Sequence, residues 1–315
     1  MPREAAPGRS PWRDEETAWH ARGAPTCWRA PSAMPPAQPT PPAGALRLHR
    51  RFPSRILGNL RDIVVWLPPG CDGRRRRHPA VYFQDGQNIF DPRTAFLGSA
   101  WNAGEAAVRL IAGGEIEPPI LVGIYNTGFS RMDEYSPTRG SFPGWDGEQC
   151  RSRGRVRSYA RFVVEEVKPF IDARYPTLPG RDHTMVAGSS MGAIAALYVA
   201  LLHPRVFGGA GLLSPSAWWD GLAPVRFVRA LRRRPPVRIW LDIGTAEPGW
   251  EKTRLLRDAF LARGWREGAD LHYLEAEKRE HNEAAWAERV GPMLKWLLGD
   301  GLAAGRADAL VGDRR

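Results

Sequence analysis

The sequence predicts an α/β fold with a mostly parallel central sheet and helices on both faces. Three observations carry that expectation. Short apolar runs alternate with segments of helical period from about residue 45 to residue 299. Several of the runs, among them AVYF, ILVGI and TMVA, are apolar throughout, as strands covered on both sides are. Strands separated by helices build a parallel sheet more readily than a sandwich. No internal repeat interrupts the pattern.

The elements follow in order. Residues 1–44 hold many prolines, ending in PSAMPPAQPTPPAGA, and read as a disordered leader unable to form a core. Met34 is an alternative start within it. RILGNLRDIVVWLPP reads as a strand closed by two prolines, and HPAVYFQDG as a second ending at Asp85-Gly86. WNAGEAAVRLIAGG reads as a helix and PPILVGIYN as a buried strand. Residues 127–155, rich in Gly, Ser and Pro, form a long loop that serves as a lid or site wall. SYARFVVEEVKPFIDARY has helical period, with Phe162, Val163, Val167, Phe170 and Ile171 on one side. TMVAGSS is a short strand, and MGAIAALYVALLHP is a helix stopped by Pro204. VFGGAGLLSP, PVRIWLDIG and DLHYLEA complete the strands, and TRLLRDAFLARG and AAWAERVGPMLKWLLG the helices. The expected organisation is one catalytic domain over 45–299, with a flexible tail at 300–315.

Composition excludes several classes. The chain of 315 residues is 43% hydrophobic, normal for a globular domain, and has no apolar run of membrane-spanning length. Its charged N-terminus lacks the apolar core of a secretory signal, which points to a cytoplasmic protein. The net charge of +11 raises nucleic acid as a partner. Yet Lys168, Lys252, Lys278 and Lys295 are the only lysines, and the arginine-rich runs Arg74–Arg77 and Arg232–Arg234 fall in loops. Solvated loop charge accounts for them, so neither a nucleic-acid nor a membrane partner is expected. The three cysteines, Cys27, Cys71 and Cys150, are widely spaced and read as thiols in a reducing compartment. No metal-ligand cluster and no phosphate loop occurs, so no cofactor is expected.

The chemistry gathers at VAGSSMGAIAAL. Only Gly188, Ser190 and Gly192 fit the pattern G-x-S-x-G. The strand before it and the helix after it supply the tight turn that lifts a nucleophilic serine above a sheet edge. The N–H of Met191 would then face an oxyanion at the positive end of the new helix. A nucleophilic serine needs a base, and the base an orienting carboxylate, in the chain order Ser, acid, His. Beyond Ser190, His203 lies about three helical turns away and His272 lies inside a strand. His281, in a loop before the last helix, is favoured as base. Glu247, in the loop after PVRIWLDIG, is favoured as acid, with Asp242 and Glu251 as alternatives. The N–H of Gln87, after the Asp85-Gly86 turn, is the candidate second oxyanion donor.

Nine motifs stand in order: LGNLRDIVVWLPPG, YFQDGQNIF, the Trp101-Asn102 pair, VGIYN, RMDEYSP, GSSMGA, LSPSAWW, IGTAE and EHNEAAW. With them the chain resembles the esterase family of α/β-hydrolases, which includes enterochelin esterases, the esterase D type, feruloyl esterases and mycolyltransferases. The resemblance covers about residues 45–299. It implies the α/β-hydrolase fold, Ser190 as nucleophile, Glu247 as acid, His281 as base, and Gln87 and Met191 as oxyanion donors. The acid is often Asp in such relatives and is Glu here. Arg131, Glu134 and Tyr135 match the family's R-x-x-E-Y, with an expected role as a buried ion pair bracing the site wall. Trp101, Trp218 and Trp219 are expected to line the substrate pocket.

The resulting expectation is a serine carboxylic-ester hydrolase working through an acyl-enzyme on a small-molecule or glycan ester. Two alternatives stand beside it: an acyltransferase on the same triad, and a non-catalytic protein binding carbohydrate or an anionic polymer.

Overall fold

The computed structural model describes residues 44–71, 76–128, 130–143 and 149–299, leaving aside the side chains of 142–150. The expected leader, apart from Gly44, and the expected tail fall outside these residues, as do Arg74 and Arg75.

Ten strands and eight α-helices are formed among the described residues. β1 (Ala45–Ser54), β2 (Asn59–Leu67), β3 (Ala80–Gln84), α1 (Ala103–Ala112) and β4 (Ile120–Ile124) come first. The segment expected to be loop carries a short helix α2 (Ser130–Tyr135) and a ribbon of β5 (Gly140–Pro143) and β6 (Gln149–Ser152). Then come α3 (Val156–Phe162), a π-helical turn (Val163–Val167) and α4 (Lys168–Arg174), which together occupy the single expected helix. β7 (Thr184–Ser189), α5 (Met191–Leu202), β8 (Gly209–Leu213), α6 (Trp219–Arg229), β9 (Arg238–Gly244), α7 (Glu251–Ala262), β10 (Leu271–Ala276) and α8 (Glu283–Leu298) complete the chain.

Eight strands form one sheet in the order β1-β2-β4-β3-β7-β8-β9-β10. β2 pairs antiparallel with β1 and with β4, and every other pairing is parallel. Alternate residues of each strand feed two separate cores, as strand geometry requires. Tyr82, Val186, Leu212 and Leu241 meet α3, α5, α6 and α7 on one face. Phe83, Ala187, Leu213 and Trp240 meet α1 and α8 on the other. Helices therefore cover both faces, as the apolar runs imply.

Beyond the segment expected to be loop, two further elements were not legible in sequence. β1 is half exposed, kinked by a bulge between His49 and Phe52, and carries Arg51 at φ 53°, so its pattern is not a strand's. α6 contains Pro224 and opens on left-handed residues at Asp220, Gly221 and Leu222, which hides its period.

α2 is pinned to β2 by a fully enclosed pair, Arg61 Nη2 to Glu134 Oε1 at 2.8 Å, with both side chains 0% exposed. Asn59 Nδ2 donates to the same oxygen at 2.7 Å, and the guanidinium lies 4.6 Å over the Phe162 ring. Glu134→Ala leaves a buried cation without its counter-charge, which is expected to cost about 3–5 kcal/mol in urea unfolding. Replacing Arg61 and Glu134 together by Met is expected to recover most of that loss.

Candidate active site

Because β3, β7, β8, β9 and β10 run parallel, the residues that follow them emerge at one edge of the sheet. Asp85, Ser190, Ser214, Glu247 and His281 all do so. Ser190 stands between β7 and α5 at φ 55°, ψ −124°, a conformation that costs a side-chain-bearing residue about 1–3 kcal/mol. The turn is held from several sides. Ser190 N–H donates to Leu213 O at 3.0 Å, and Ser190 O accepts from Ala193 N at 3.2 Å and Ser216 N at 3.3 Å. The flanking glycines answer to close approach. A Cβ on Gly188 would lie 2.5 Å from Gly192 O, and one on Gly192 would lie 2.8 Å from Asp85 Oδ2. The Ser190 hydroxyl is 3.2 Å from Ser216 Oγ, and it makes no hydrogen bond to His281 in this structure.

Met191 is the first residue of α5, so its N–H has no acceptor within the helix. Gln87 sits in a 3₁₀ turn (Gly86–Asn88) directly after β3. Its carbonyl accepts from Thr94 Oγ1 at 2.7 Å, and its side-chain Oε1 accepts from Asn126 N at 3.3 Å. Asp85, itself left-handed at φ 55°, accepts from Arg131 Nε and Nη2, both at 2.8 Å, and from Asn126 Nδ2 at 2.7 Å. The R-x-x-E-Y residues thus form two pairs: Arg131 binds Asp85 beside the elbow, and Glu134 binds Arg61 behind it. Tyr135 Oη accepts from Asp85 N at 3.3 Å.

Glu247 and His281 meet at this edge. Glu247 is 3% exposed, and its Oε2 lies 2.6 Å from His281 Nδ1. Glu247 Oε1 accepts from Ser214 Oγ at 2.5 Å and from Gly244 N at 2.8 Å. Burial by itself would raise this carboxyl's pKa. The hydrogen bond and charge of His281, with the bonds from Ser214 and Gly244, outweigh it and leave the carboxyl below its ordinary value. An ionised Glu247 takes an Nδ1–H bond from the imidazole, so Nε2 carries the lone pair. The ring of His281 stands edge-on to Trp286, centroids 5.0 Å apart, and its side chain is 40% exposed.

The competing residues are engaged elsewhere. Asp242 is completely buried; it accepts from Trp240 Nε1 at 2.7 Å and Ser214 N at 3.1 Å, and lies 3.3 Å from Arg289 Nε. Desolvation pushes its carboxyl up to about 6. Glu251 is an exposed residue at the start of α7. His203 caps the far end of α5, and His272 stacks on Trp240 at 4.3 Å.

Of the three tryptophans expected to line a pocket, Trp218 alone presents surface, 46% exposed. It borders a cleft with Pro215, Pro248, Thr253 and His281. Trp101 and Trp219 are corrected to core residues. Trp101 is 0% exposed between Phe83 and Trp286, and Trp219 is 1% exposed with its Nε1 donating to Thr138 Oγ1 at 3.1 Å. Sequence reasoning passed over Ser214, Ser216, Asn126 and Arg289. Arg289 carried a readable signal, a cation on the face of α8 otherwise made by Trp286, Val290 and Met293. Among the described residues, no group of three or more His, Cys, Asp or Glu is placed to hold a metal.

Residues 54–297 match the model of a protein family described as "Putative esterase". An uncharacterized protein, YbbA, of Bacillus subtilis is 25% identical over 255 residues, 76% of this chain and 93% of that protein. An iron(III) enterobactin esterase of Dickeya dadantii is 27% identical over 214 residues, 67% of this chain and 42% of that protein. Among solved structures, the enterobactin esterase FES of Shigella flexneri superposes with a TM-score of 0.62 at 18% identity, covering 86% of this chain and 61% of that one.

Proposed function

Since the chain belongs to this esterase family and is a carboxylic ester hydrolase of the α/β-hydrolase type, we propose that it works through Ser190, His281 and Glu247. The observation that carries the reading is the 2.6 Å bond from His281 to a buried, ionised Glu247, at the sheet edge where Ser190 is held strained. The ester carbonyl docks over Ser190, and the hydroxyl leaves Ser216 for His281 Nε2. Oγ attacks the carbonyl carbon as Nε2 takes its proton. The N–H groups of Met191 and Gln87 receive the oxyanion. Collapse expels the alcohol, protonated by His281, and leaves an acyl group on Ser190. A water molecule, deprotonated by the same imidazole, attacks that ester and frees the acid. Glu247 keeps Nδ1 protonated throughout. The relatives named for enterobactin support a small-molecule ester as substrate.

The direct test traps the intermediate. Rapid mixing with p-nitrophenyl acetate is expected to release a burst of nitrophenolate matching the enzyme concentration. Acid quench and peptide mass spectrometry then find the acetyl group on Ser190. An acetyl group on another residue, or hydrolysis with neither burst nor adduct, overturns the proposal.

A further inference from the structure

Ser214 follows β8 at φ 43° and is 1% exposed. Its hydroxyl oxygen has three partners: Trp286 Nε1 at 3.0 Å, Arg289 Nη2 at 2.9 Å and Glu247 Oε1 at 2.5 Å. An indole N–H and a guanidinium N–H can only donate. Together they take both lone pairs of the hydroxyl, so its one proton has one destination, Glu247 Oε1. The Gly244 N–H donates to the same oxygen, at 2.8 Å. Oε1 therefore faces two donors whose direction cannot reverse, and Oε2 is left for His281 Nδ1. The donors are anchored in turn. Asp242 accepts Ser214 N–H at 3.1 Å and lies 3.3 Å from Arg289 Nε, which gives that buried carboxylate a structural task.

We infer that Ser214 is a positioning residue of the esterase reaction: its hydroxyl, locked as a donor by Trp286 and Arg289, holds the Glu247 carboxylate turned with Oε2 toward His281. The inference rests on the triad proposed above. The 1% exposed Ser214 hydroxyl gives its proton to Glu247, so its part in the reaction runs through that carboxylate.

The test is a double-mutant cycle in the full-length protein with p-nitrophenyl butyrate. Ser214→Ala is expected to lower kcat on the order of 10- to 100-fold, the size of one hydrogen bond to a charged group, with KM little changed. Ser214→Gly accommodates φ 43° without strain and replaces the alanine variant if that one fails to fold. In a Glu247→Ala background, removing the Ser214 hydroxyl is expected to cost nothing further, since no carboxylate is left to orient. Equal losses in the two backgrounds, or a loss confined to KM, overturn the inference. Wild-type kcat in Ser214→Gly, beside a strongly lowered kcat in Glu247→Ala, overturns it and leaves the triad standing. Wild-type kcat in Glu247→Ala overturns the triad, and the inference with it.

Discussion

Replacing Ser190 by alanine is expected to lower kcat/KM for p-nitrophenyl butyrate by on the order of 10⁴ or more. The local structure makes this a clean experiment. Alanine at φ 55° carries the same backbone strain as serine, so the turn gains no reason to relax. The bonds that hold it, Ser190 N to Leu213 O and Ala193 N to Ser190 O, belong to the main chain and survive the substitution. The hydroxyl takes with it a hydrogen bond to Ser216 Oγ, at 3.2 Å. Thermal unfolding is therefore expected to match wild type to within about 1 kcal/mol. Folding and activity then part company, and residual hydrolysis reports what the rest of the site achieves with water alone. A variant with wild-type rates would show that ester hydrolysis runs through another group.

Replacing Glu247 by glutamine is expected to cost on the order of 10³–10⁴ in kcat with the fold intact. The magnitude follows from hydrogen-bond direction. The Oε1 position receives Ser214 Oγ–H and Gly244 N–H, so a glutamine must place its carbonyl oxygen there. Its NH₂ then points at His281 Nδ1 across the 2.6 Å now spanned by the carboxylate. Two donors cannot face each other, so the imidazole moves its proton to Nε2. An imidazole protonated at Nε2 cannot take the proton of Ser190. The substitution removes one charge and no bulk, so the loss reflects the tautomer. Measuring kcat with p-nitrophenyl butyrate alongside the unfolding midpoint in urea checks both halves. A fall of less than about tenfold would argue that another carboxylate orients His281. Asp242, enclosed by Trp240, Ser214 and Arg289, is not placed to do so.

The central strands were legible because strands covered on both faces are made mostly of apolar residues, and AVYFQ, ILVGI and GAGLL are completely buried. The elbow was legible because its glycines are demanded by local contact: Gly188 meets Gly192, four residues on. His281 was singled out by elimination, since few histidines follow Ser190, and the structure sets it against Glu247. The segment 127–155 was not, because its helix and ribbon are short and polar. The helix is held by partners elsewhere in the chain, Arg131 by Asp85 and Glu134 by Arg61.

Sequence alone placed a serine on a tight strand–turn–helix signal, with candidate carboxylates and a histidine after it in a workable chain order, because side-chain chemistry and that signal are local properties. It left the acid open between Glu247, Asp242 and Glu251, because all three are carboxylates near the end of one strand. Only the tertiary structure placed Glu247 against His281 while it enclosed Asp242 beneath Trp240 and Arg289. It alone sent Trp101 and Trp219 into the core and gathered Ser214, Trp286 and Arg289 around one carboxylate oxygen. Those outcomes depend on which chain segments pack side by side across the sheet, and a hydrogen bond between residues 33 or 75 positions apart leaves no periodic trace in the sequence.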